Sequence, residues 1–138
     1  MTGIILITYG GIGEELLKAA THIMNQPVEE IELVAVYDQS TTADELPGQL
    51  QQAIEHLVDC EHCLMLADLH GCTHFNIARQ FVEESRVALV SGVNLPMLLR
   101  VLCHRDEDLI TLCHYAEEGG VMGISTSCEI EKQGEISH

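Results

Sequence analysis

The sequence predicts an α/β protein: a doubly wound sheet of four parallel strands with helices on both faces, plus a short fifth strand near the C-terminal end. Three observations predict it. Strand-length apolar runs alternate with helical patterns along the chain. Each run is apolar at nearly every position, as a strand covered on both faces must be, whereas a strand with one wet face would alternate. Several strand ends lead into loops rich in Gly, His, Asp or Asn that open a helix, the layout of repeated strand–helix units.

Residues 3–8 (GIILIT) form the first strand of this reading. Residues 14–24 follow as a helix, with Leu16, Leu17, Ala20 and Ile23 on one face. Residues 31–37 (IELVAVY) are the second strand. Residues 42–58 are a helix capped by Thr41 or Thr42, with Pro47 near enough to its start to be tolerated. Residues 63–67 (CLMLA) are the third strand and 73–84 the third helix. Residues 86–90 (RVALV) are the fourth strand. Pro96 suits the first turn of the next helix, and 107–116 form another. Residues 121–124, flanked by Gly119, Gly120 and Gly123, read as a short last strand. From Ser125 the chain is a polar, mobile tail, so the expected division is a domain over 1–124 and a tail over 125–138.

At 138 residues and 46% apolar composition, the chain suffices for one core. Only 6 basic residues face 22 acidic ones, a formal charge of -16. That balance argues against nucleic acid and anionic membranes as partners and suits a partner with a basic face. No apolar run reaches the ~18–20 residues needed to span a bilayer, and the start lacks a signal-peptide pattern, so the protein is expected to be intracellular. With no secretion signal, and with Cys63, Cys72, Cys103 and Cys113 in apolar surroundings, the six cysteines are expected to be reduced.

In a doubly wound sheet, ligands bind beyond the carboxyl ends of the strands, where the strand order reverses. Three loops are candidates: residues 8–13 (TYGGIG), 68–76 (DLHGCTHFN) and 91–96 (SGVNLP). Gly10, Gly11 and Gly13 allow a tight strand-to-helix turn whose amides could face an anion. Their spacing matches neither a dinucleotide fingerprint nor a P-loop. Asp68 could orient an imidazole, accept from a hydroxyl, or cap its own loop. His70, Cys72 and His74 have a metal-like H-x-C-x-H spacing but lack a fourth ligand. The C-x-x-C of Cys60 and Cys63 is no help, since five strand residues put it roughly 17 Å away at ~3.3 Å per residue. No metal or cofactor is expected.

Taken together, T-Y-G-G (Thr8 to Gly11), D-L-H-G-C-T-H-F-N (Asp68 to Asn76) and G-V-N-L-P-M-L (Gly92 to Leu98) resemble the mannose-type enzyme IIA family of the phosphoenolpyruvate-dependent sugar phosphotransferase system, in order and spacing over residues 1–124. The resemblance implies a flavodoxin-like sheet and a cytoplasmic phosphocarrier that takes a phosphoryl group from HPr onto a histidine and passes it to a IIB partner. It also implies a homodimer exchanging a C-terminal strand, for which 121–124 is the candidate. The site it implies comprises Thr8, Tyr9, Gly10 and Gly11, then Asp68, His70, Gly71, His74 and Asn76, then Asn94 and Pro96.

At the position of the family's phosphorylated histidine this chain has Tyr9. A neutral imidazole is a competent nucleophile near pH 7, whereas a phenol of pKa about 10 stays protonated and needs activation. Tyr9 is therefore not expected to sustain a reversible relay, and Asp68 is expected to accept a hydrogen bond from its hydroxyl. His70 and His74 stand where the family has an aromatic residue and a proline, and both are expected at the exposed rim. Two functions follow as expectations: phosphoryl transfer through a displaced histidine, or a non-catalytic regulatory module that keeps the fold and docking surface.

Overall fold

A computed structural model describes residues 1–128. Strands and helices alternate as β1 (Gly3–Tyr9), α1 (Ile12–Met24), β2 (Ile31–Val36), α2 (Gln39–His56), β3 (Cys63–Ala67), α3 (Thr73–Arg79), β4 (Val87–Ser91), α4 (Leu95–Leu102) and α5 (Leu109–Met122). The four strands form one parallel sheet in the order β2-β1-β3-β4, with Leu6 in register with Leu33 on one side and Leu66 on the other. The continuous apolar runs are explained by this layering. Ile4 and Leu6 of β1 point into a core shared with α1, α4 and α5, while Ile5 and Ile7 point into a second core under α2 and α3. All four side chains are fully buried, as a period-2 strand between two helix layers requires.

Four details differ from the sequence reading. The carboxylate that caps α2 belongs to Asp38, accepting the Thr41 N–H at 2.9 Å, so neither Thr41 nor Thr42 is the cap. The helix therefore starts earlier and Pro47 lies well inside it, where it removes the N–H that would have met the Ala43 carbonyl. Helix α3 stops at Arg79 rather than 84. There the backbone tightens into i→i−3 bonds (Gln80 to Ile77, Phe81 to Ala78, Val82 to Arg79), and Glu83 then bridges to Val87. The apolar surroundings expected for Cys103 are also absent: it is exposed, while all six cysteines are free thiols.

The largest correction is at the C-terminal end. Residues 121–124 are not a strand: α5 runs on through Val121 and Met122 to a cap at Gly123. The glycines read as flanking a strand are the contact face of α5 on α4. A β-carbon on Gly119 would lie 2.7 Å from Arg100 Cβ, one on Gly120 2.9 Å from Met97 Cε, and one on Gly123 2.5 Å from Pro96 Cγ. Close packing here outweighs the roughly 1 kcal/mol that each interior glycine costs a helix. Most of the tail expected over 125–138 lies outside the described residues.

The loop between α4 and α5 closes the amino end of the sheet. Arg105, only 8% exposed, donates from Nε and Nη2 to the Thr2 carbonyl at 3.0 and 2.9 Å, from Nη2 to Glu30 O at 2.7 Å, and from Nη1 to Glu29 O. A buried guanidinium is tolerated there because its donors are met by carbonyl oxygens.

Candidate functional site

The strand order reverses between β1 and β3, and at their carboxyl ends stand Tyr9 and Asp68. This is the crevice that the doubly wound layout reserves for ligands. The turn after β1 is built by its glycines. Gly10 has φ +47°, a conformation that costs glycine little. Gly13 donates its N–H to Thr8 Oγ1 at 2.7 Å, and a β-carbon there would lie 2.9 Å from that oxygen. Thr8 is thus a buried strut under the loop, and Gly11 precedes the first turn of α1.

Asp68 ties the two central loops together. Its Oδ2 accepts the backbone N–H of Tyr9 at 2.8 Å, and its Oδ1 accepts from His74 Nε2 at 2.6 Å. The expected bond from the Tyr9 hydroxyl is not formed: the carboxylate meets the Tyr9 backbone and His74 instead, and the phenol points outward. Tyr9 is 43% exposed, and its ring meets that of His74 edge-on at 5.9 Å.

His74 also departs from expectation. It is 2% exposed instead of lying on the rim, because it is the second residue of α3 and points inward toward Asp68. Cys72 Sγ lies 3.3 Å from His74 Nδ1 and 3.4 Å from Nε2. An in-line bond to one nitrogen would leave the other much farther away, so near-equal distances put the sulfur over the ring face. Cys72, His74 and Asp68 therefore resemble a nucleophilic triad in composition but not in alignment, since the imidazole lone pair does not face the thiol. Among the described residues no group of three or more His, Cys, Asp or Glu side chains could hold a metal ion.

His70 does stand on the rim. Its ring packs against Phe75 at 4.5 Å, and its Nδ1 is 3.4 Å from Ser91 Oγ at the end of β4. Sequence reasoning gave Ser91 no role, though it is the first polar residue after the apolar run of β4 and so had to surface at this rim. Gly71 forms the exposed turn, its carbonyl accepting from Asn76 Nδ2 at 3.4 Å. The third loop is mainly structural. Asn94 caps α4 through Met97 N–H at 2.9 Å and donates to Gly120 O at 3.1 Å, and Pro96 sits in the first turn of α4 against Gly123. The structure therefore brings Tyr9, Asp68 and His74 into mutual contact, sets His70 beside Ser91, and uses Thr8, Asn94 and Pro96 as supports.

Residues 3–113 match the family pattern described as "PTS system fructose IIA component". The PTS system mannose-specific EIIAB component of Escherichia coli (strain K12) is 32% identical over 108 residues, covering 76% of this chain and 32% of that protein. The chain thus spans about a third of that relative's length. The PTS system fructose-specific EIIA component of Bacillus subtilis (strain 168) is 31% identical over 108 residues, covering 77% of this chain and 72% of that protein. In fold the chain resembles the mannose/sorbose specific IIA subunit from Enterococcus faecalis (TM-score 0.80, 22% identity, 93% of this chain and 96% of that one). It resembles phosphotransferase system component EIIA from Streptococcus agalactiae as closely (TM-score 0.79, 23% identity, 91% and 97%).

Proposed function

The chain belongs to the mannose/fructose-type enzyme IIA family of the sugar phosphotransferase system, and on that premise we propose that it works as a protein-binding, regulatory component which does not relay a phosphoryl group. In this reading Tyr9 occupies the position of the family's acceptor histidine, residues 1–124 are the IIA domain, and residues 125–138 are a polar tail. The partners are an HPr-like carrier and a IIB component, met in the cytoplasm.

One observation carries the reading: both oxygens of Asp68 are committed, one to the Tyr9 backbone and one to buried His74. A carboxylate so engaged serves the loop backbone and a buried imidazole, and it makes no bond to the side chain of residue 9. The phenol there is a poor acceptor without an activating base. His74 cannot replace it, because its Nε2 is bonded to Asp68 and its ring is shielded from solvent. Among the described residues His70 is the one exposed imidazole at the rim, which makes it the competing acceptor.

Incubation with phosphoenolpyruvate, enzyme I and HPr, followed by intact-mass measurement and a pull-down of HPr, tests this. The expected result is an unchanged mass with HPr retained. An acid-labile phosphoryl group on His70 would overturn the proposal in favour of a displaced relay.

A further inference from the structure

The outer edge of β2 carries a feature that the switch-point crevice does not use. At the two ends of the β1–β2 ladder, Ile4 N–H donates to Glu30 O at 3.1 Å and Gly10 N–H to Val36 O at 2.8 Å. The two-residue period then turns the carbonyls of Glu32 and Val34 toward β1 as well. It leaves the N–H and C=O groups of Ile31, Leu33 and Ala35 facing away from the sheet. Because β2 is the terminal strand, these groups meet no neighbouring strand among the described residues. Proteins usually guard such an edge with lysine, proline or a bulge. Here none of the three interrupts IELVAV.

The edge is flanked by open clefts on both faces. On the α2 side two clefts of about 170 Å³ each run from Glu32 and His56 to Tyr37 and Glu45. On the α1 side a smaller one of about 70 Å³ is lined by Leu33, Ala35 and Glu14. Among the described residues no Lys or Arg lines any of the three. Glu32 pairs with His56 at 2.9 Å, while Glu14 shares Lys18 at 3.3 Å, and Glu29 and Glu30 lead into the strand. The two faces differ in degree: the α2-side clefts carry the carboxylates of Glu32 and Glu45, and the α1-side cleft that of Glu14, shared with Lys18, beside Leu33 and Ala35.

We propose that the β2 edge is a docking site for an extended basic segment of another protein, which adds as a fifth strand with Lys or Arg on the α2 side and apolar residues on the α1 side. Main-chain hydrogen bonds to Ile31, Leu33 and Ala35 hold the segment, and the alternating pattern selects it. Charge excludes the other occupants. A second copy of this chain would bring its own Glu29, Glu30 and Glu32 against the same carboxylates, at a formal charge of -16 per chain. The chain's own last ten residues, EIEKQGEISH, carry three glutamates against one lysine. The proposal is independent of what Tyr9 does.

The test is a fluorescence-anisotropy titration with a short end-blocked peptide alternating lysine and valine, and with its glutamate–valine counterpart. The wild type is expected to bind the first and not the second. Ala35→Pro deletes an outward N–H without touching the β1 ladder, and should weaken binding at least about tenfold with an unchanged circular dichroism spectrum. Glu32→Gln should weaken it too. The lysine–valine peptide N-methylated along one edge reads the same main-chain bonds without altering the protein, and should not bind. Equal affinity for the methylated and plain peptides, or for the two charge patterns, would overturn the proposal. So would undiminished binding by a folded Ala35→Pro.

Discussion

Placing a histidine at residue 9 tests the proposed reading of the site. If residue 9 is the family's acceptor position, Tyr9→His alone supplies the acceptor, but the new imidazole finds Asp68 Oδ1 already bonded to His74 at 2.6 Å and Oδ2 bonded to its own backbone N–H at 2.8 Å. On the proposed reading the two imidazoles compete for Asp68, and His74 gives way before Asp68 orients the acceptor. A hydrogen bond to a charged group contributes about 1.5–3 kcal/mol, so the competent arrangement should be populated about 10- to 150-fold less than if His74 were absent. Tyr9→His/His74→Ala removes the competitor and keeps a good helix former in the first turn of α3. The assay is the initial rate of acid-labile phosphate uptake from enzyme I, HPr and phosphoenolpyruvate, measured on both variants after their folding is checked. The double variant should be faster by one to two orders of magnitude. Equal rates would refute the claim that His74 holds Asp68 out of action, and no uptake by either folded variant would show that the HPr docking surface is gone.

Other substitutions separate supporting from exposed groups. In urea unfolding, His70→Gln should change stability by less than about 0.5 kcal/mol, whereas His74→Leu strands a largely buried carboxylate and should cost about 3 kcal/mol. Arg105→Met removes the donors to the carbonyls of Thr2, Glu29 and Glu30 and should cost about 3 kcal/mol or more in the same measurement. The backbone N–H groups of Thr41 and Thr111 hold the carboxyls of Asp38 and Asp108 below their ordinary pKa. Their contribution is thus complete above the ordinary carboxylate pKa and is lost as pH falls through the lowered folded value. Asp108→Asn should therefore flatten the acid limb of the unfolding midpoint against pH.

The sheet was legible in the sequence because its strands are buried on both faces. GIILIT has no polar residue before Thr8 at its end and CLMLA has no charged or hydroxyl residue to suggest an alternative, and each loop begins where the apolar run stops. Residues 119–124 were misread for a reason of the same kind. Three glycines in six residues lower helix propensity whatever they touch, and only the partner helix reveals that they are small in order to fit Arg100, Met97 and Pro96. The cap at Asp38 was missed because Ser40, Thr41 and Thr42 offered competing hydroxyls, and their own bonds to Asp38 became visible only in three dimensions.

At the site, the sequence yielded the membership of the cluster but not its wiring. That Asp68, His70, Cys72 and His74 share one loop is plain from their spacing, yet spacing cannot say which imidazole turns inward. The geometry of α3 decides it. His74 and Phe75 enter the first helical turn and are both buried, so His70, before the turn, is left on the rim with its ring against Phe75. A polar side chain buried at His74 must find a partner, and the nearest carboxylate is the one that also fixes the end of β1. The bond that makes His74 tolerable in the interior therefore occupies Asp68 Oδ1, while Oδ2 holds the backbone of residue 9. A histidine at position 74 and an acceptor side chain at residue 9 would compete for the same carboxylate, and this chain has the first.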